Sequence, residues 1–164
     1  MTAAITLQEL LAWNDEAAVF WNEHLVANPK LLELPCDIGH AGTVQDFVRH
    51  IWGVELIWAQ RIADLPRTAG ADMPKGPLVA LFGLHVLAMQ ICRRLLADPA
   101  HDWSQTITLN YDWLPPASRT GTHRKFLAHG LLHSQRHWAQ LSTLVREAGF
   151  PAEFKGDLLF SSAL

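Results

Sequence analysis

Apolar residues recur along most of this chain at steps of three and four, which is the spacing of one face of a helix. The pattern is plainest over Val44, Phe47, Val48, Ile51, Val54, Trp58 and Ile62. Polar punctuation divides it into four segments. The first predicts a helix from about Leu7 to Val26, with Thr6 and Glu9 placed as a capping box and Asn28-Pro29 as its stop. The second starts at the N-cap Thr43, with Asp46 at the third helical position, and runs to about Asp64 before Leu65-Pro66. The third opens near Pro77 and ends about Ala97, before Asp98-Pro99. The fourth begins at Thr120 or Thr122 and runs to about Ala148, where Gly149 suits the residue just past a helix end.

The intervening stretches read differently. "NPKLLELPCDIGHAG" is a loop with room for one short turn, and "PRTAGADMPKGP" is a linker rich in proline and glycine. "QTITL" (105–109) alternates like a short strand, and "YDWLPPASRTG" (111–121) is a long turn-rich connection. Four amphipathic segments of about 20 residues predict an all-α four-helix bundle. The length of the connection before the fourth segment predicts a crossover rather than a plain up-and-down arrangement.

The chain has 164 residues, which predicts one domain with enough interior to need no disulfide or structural metal for its core. Its formal net charge of −3 gives no general reason to bind nucleic acid or an anionic membrane. Cys36 and Cys92 are the only cysteines, too few for a disulfide framework or a paired-cysteine metal site. A reduced, cytoplasmic setting is therefore expected. No signal-peptide pattern is read at the start, and each apolar run looks too interrupted to span a membrane.

The chemistry concentrates in "LLHSQRHWAQL" (131–141), where His133 and His137 are four apart. Phe126, Gly130, His133, His137, Gln140 with Leu141, and Leu144 form a seam that should face the bundle interior. Residues four apart differ by about 40° around a helix and about 6 Å along it, so both rings can reach one point. A buried imidazole pair is costly unless every ring nitrogen is satisfied. A divalent metal does that, and the plainer alternative is hydrogen bonding to polar side chains or water.

His50, at the edge of the second segment's stripe, supplies a third ring if the two helices are neighbours. His129 competes for that place, although three successive rings sweep about 80° around the helix. His85, on the apolar face of the third segment, is a possible fourth ligand. His24, His40, His101 and His123 read as solvated. Gln140 is placed to hold a ligand ring or a metal-bound water, or else to be an ordinary interface residue. Glu55 could hold a histidine nitrogen or act as a base, or simply pair with Arg61 or another basic residue. Trp13, Trp21, Trp52, Trp58 and Trp138 read as packing, and Cys92 could face the centre, leaving thiol chemistry open.

Taken together, "TVQDFVRHIWGVELIWAQRIADLP" and "HSQRHWAQLSTLVREAGFP" resemble the DinB/YfiT-like family of metalloenzymes over nearly the whole chain. That resemblance implies a four-helix bundle whose His50, His133 and His137 bind one divalent ion, usually zinc or nickel. Iron, copper or manganese are also acceptable to such ligands. Glu55, Trp58, Gln140 and the "LxxxxREAG" ending fit the same pattern. One departure is visible: the family often follows its last histidine with Arg-Gly-Gln, whereas here Trp138-Ala139-Gln140 follows and Arg136 precedes it.

The resemblance further implies an enzyme in which the metal activates a low-molecular-weight thiol for transfer, or water for hydrolysis. A metal-binding stress-response bundle without turnover is the alternative. The expected partner is a small-molecule substrate. A homodimer is also expected, from the tryptophan count and the apolar "DLLF" tail.

Overall fold

A computed structural model describes residues 4–163. Its architecture is four helices with a two-stranded sheet: α1 (Leu7–Ala27), α2 (Val44–Ile62), α3 (Leu78–Ala97), β1 (Thr106–Thr108), β2 (Thr120–Thr122) and α4 (His123–Glu147). Threonine starts three of the helices. Thr6 accepts from the Glu9 backbone N–H at 3.1 Å while Glu9 Oε2 accepts from the Thr6 backbone N–H at 2.6 Å, which closes the capping box. Thr43 and Thr122 cap α2 and α4 by accepting from the backbone N–H of Asp46 and Lys125.

α1 and α2 each pack against both α3 and α4. Consecutive helices α1 and α2, and likewise α3 and α4, therefore sit across the bundle from each other. Both the 28–43 link and the 98–122 link run between such opposed helices, so this is not a simple up-and-down bundle. Residues 98–122 add a small two-stranded sheet to the helices, its first strand within the alternating "QTITL". Thr120–Thr122 pairs antiparallel with Thr106–Thr108, and the helix starts one residue later. A Cβ on Gly121 would lie 3.1 Å from the Phe126 ring, which explains why this short strand carries glycine.

Tryptophans anchor the core. Trp21, Trp52 and Trp138 are fully buried. The Trp138 ring stacks on Trp21 at 5.9 Å and meets Trp52 edge-on at 5.8 Å, linking α1, α2 and α4. The C-terminal tail folds back on α1. Phe154 packs on Phe20 and Trp21, and Ser161 and Ser162 donate to Glu16.

α3 departs from the sequence reading in one respect. It is long and apolar enough to cross a membrane, with a mean hydropathy of 1.5 over its best window. In this fold one face of it packs against α1 and α2, burying Leu81, Leu84, Ala88, Met89, Ile91 and Cys92, while Val79, Val86 and Leu87 stay exposed. Its two arginines lie in the last turns, so they do not interrupt the apolar stretch ahead of them.

Candidate metal centre

α2 and α4 approach closely. Gly130 makes this possible, since a Cβ there would stand 3.3 Å from Trp58 Cδ1. One turn further along α4 comes His133, then His137, and opposite them on α2 is His50. The His50 ring lies 5.3 Å from each of the other two, which are 4.2 Å apart. One ring nitrogen from each of the three falls within 4.8 Å of the others. His133 and His137 present Nε2 to each other at 3.0 Å. Two nitrogens on one tetrahedral zinc ion stand about 3.3 Å apart, so small ring rotations fit this pair to an ion.

The centre lies at the edge of the α2–α4 interface rather than in the deep interior. His137 is buried, while His50 and His133 are half-buried. The predicted seam holds at Phe126, Gly130, His137 and Leu141, which are buried, whereas His133 and Leu144 are half-buried and Gln140 is exposed. The buried face of α4 is centred to one side of it, on Leu127, Leu131, Ser134, Trp138 and Val145. Three histidine ligands on such a half-open rim would leave coordination positions free.

Burial lowers the pKa of all three rings. The His133 ring is driven down to about 3 by burial, then by His137, His50, Arg136 and His129. Burial also lowers His50, helped by His137 and Arg136. For His137, burial outweighs the hydrogen bond that its Nδ1–H donates to Gln140, which favours the charged form. The rings are neutral near pH 7, the form that binds a metal. His133 Nδ1 is buried without a hydrogen-bond partner.

Gln140 Oε1 lies 2.6 Å from His137 Nδ1. The neutral ring donates N–H from Nδ1 to that oxygen, which leaves Nε2 as a lone pair facing the centre. Phe47, one turn before His50, meets the His137 ring edge-on at 5.0 Å and closes one side. Arg136 Nη2 comes within 3.5 Å of His137 Nε2.

The other candidates fall elsewhere. His129 is exposed, 6.0 Å from His133 ring to ring, with its edge against Trp58 at 5.6 Å. His85 offers no free nitrogen: Nδ1 is 2.7 Å from Glu55 Oε2 and Nε2 is 2.9 Å from Asp15 Oδ1. Glu55 is likewise committed, because its other oxygen accepts from Asn14 Nδ2 at 2.7 Å. Glu55 thus holds a histidine nitrogen and pairs with a basic residue, but the partner is His85 rather than Arg61 or one of the three converging histidines. Arg61 donates to the Tyr111 hydroxyl instead.

Burial alone would lower the His85 pKa. The Glu55 charge and the bonds to Asp15 and Glu55 outweigh it and raise His85 to about 9. Arg93 completes the chain, donating to Asp15 Oδ2 at 2.6 Å. The signal for this network was present in the sequence, since a histidine and a glutamate on two apolar faces must find partners when buried.

Cys92 is buried, and burial with the Glu55 charge pushes its thiol up to about 12, so it carries no thiolate at neutral pH. Two histidines read as solvated are not. His123 is buried, with Nδ1 3.2 Å from His101 Nε2. His24 packs between Phe20 and Trp21 with its Nε2 buried and unpartnered. Compared with protein-family models and with curated proteins, the chain matches none.

Proposed function

We propose that this protein is a divalent-metal-dependent enzyme of the DinB/YfiT-like type, with His50, His133 and His137 as the metal ligands. One observation carries the reading: three neutral imidazoles from two helices converge within 4.8 Å at a half-open rim. A divalent ion bound there would acidify a thiol or water and so supply a nucleophile at neutral pH.

The chain's own residues divide the remaining work. Gln140 orients His137 and keeps its Nε2 free of a proton. Phe47 forms an apolar wall against the His137 ring. The carboxylates on either side of His85 are internally paired, and Cys92 stays protonated. Neither supplies the nucleophile, so a thiol or water has to enter as substrate.

Transfer of a low-molecular-weight thiol is the favoured reaction and hydrolysis the alternative, both carried over from the family resemblance. The test is a screen of metal-loaded protein with small thiols plus an electrophile, and with hydrolysable esters and amides. Turnover that requires metal and disappears in His133→Ala supports the proposal. Metal uptake without turnover in either screen favours a metal-binding module that does no chemistry.

A further inference from the structure

The electrostatics of the centre point to the kind of ligand it takes. Three neutral imidazoles contribute no charge, so a divalent ion bound to them keeps its full charge of two. The groups that act electrostatically on His50, His133 and His137 are other histidines and Arg136, with no carboxylate among them. Arg136 is exposed on the same strip of α4 and brings Nη2 to 3.5 Å from His137 Nε2. Among the described residues it has no carboxylate partner. A guanidinium fixed beside a site built for a second cation is repelled by it, unless an anion lies between them.

Arg136 does not stand alone. Gln140 is four residues on and exposed, and its Oε1 is taken by His137 while its amide N–H₂ makes no hydrogen bond among the described residues. Donors of Arg136 and Gln140 that make no hydrogen bond among the described residues therefore flank the His137 ring on the rim. A guanidinium presents a planar fork that matches the two oxygens of a carboxylate.

We propose that the open side of the three-histidine centre takes a small carboxylate-bearing ligand, and that Arg136 selects it. The inference rests on the metal reading above and adds the substrate's charge. The carboxylate sits against the Arg136 guanidinium and the Gln140 amide. The reacting thiol or carbonyl group of the same molecule then faces the histidines. Arg136 here is a specificity residue.

The test uses the full chain loaded with cobalt(II), whose visible absorption reports loading in each variant and changes when a thiolate binds. Three thiols of similar size are titrated: 3-mercaptopropionate, 2-mercaptoethanol and cysteamine, which carry a negative, neutral and positive group. The wild type should bind 3-mercaptopropionate at least about tenfold more tightly than the other two. Arg136→Gln should remove that preference, and Arg136→Lys should keep part of it.

Cobalt uptake with no charge preference, or a preference that survives in Arg136→Gln, overturns this inference and leaves the metal reading standing. Failure of the wild type to take up cobalt overturns both.

Discussion

Gln140 Oε1 accepts the Nδ1 proton of His137 at 2.6 Å, three residues back along the same helix. That bond decides which nitrogen of His137 is free to bind a metal. Replacing Gln140 with Leu removes the acceptor and lets the ring adopt the other tautomer. Metal affinity should fall about 10- to 100-fold, the usual cost of losing such a supporting bond. Gln140→Glu keeps an acceptor and should stay close to wild type. Competition against a chromophoric chelator measures both.

The lowered pKa values of the three ligand rings make a statement about pH. An ordinary histidine begins to lose metal to protons as the pH falls through about 6.5. Here all three rings lie below that value, His133 at about 3. The loss of zinc affinity on acidification should therefore set in at a lower pH than ordinary histidines would give. A steep loss centred near pH 6.5 would show rings that titrate as if exposed.

The Asp15–His85–Glu55 network should appear in stability instead. His85 has its native pKa raised from 6.5 to about 9, so the native state holds a proton that the unfolded state releases. The contribution is complete below pH 6.5 and is lost as the pH rises through about 9. Its upper bound is about 3 kcal/mol. Urea unfolding at pH 6 and pH 9.5 should differ in that direction, and His85→Gln should flatten the difference. Metal stoichiometry should be unchanged in His85→Gln, because His85 touches none of the three ligands.

Gly130 sets the distance between α2 and α4. A leucine there has nowhere to go except into Trp58, so Gly130→Leu should force the helices apart beside the centre. We expect a loss of about 1–3 kcal/mol in stability together with weaker metal binding. Thermal unfolding with and without zinc separates the two effects, since the zinc-induced rise in Tm should shrink.

Much of this arrangement was legible in the sequence because helix periodicity is a local property. His133 and His137 are four apart, and His50 lies at the edge of an apolar stripe, so their convergence needed only that α2 and α4 be neighbours. What could not be read was what depends on the third dimension. His133 and Gln140 lie at the border of the buried stripe of α4 because Trp138 takes the central place against Trp21 and Trp52.

Glu55 finds His85 rather than Arg61 because α3, not the next turn of α2, faces it. Thr120-Gly121-Thr122 is too short to read as a strand on its own and becomes one only through Thr106–Thr108. The hydrophobic run of α3 was misjudged for the opposite reason: a single histidine counted as an interruption, although two carboxylates allow it to be buried.

The central claim is that the three histidines hold a metal, and elemental analysis tests it most directly. The untagged protein, purified without added metal, is compared with His137→Ala prepared in parallel. About one divalent ion per chain in the wild type, absent from the variant, is the predicted result. Wild-type protein that contains no metal, and takes up neither zinc nor nickel on titration, would contradict it. "HSQRH" would then be a hydrogen-bonded edge of the core.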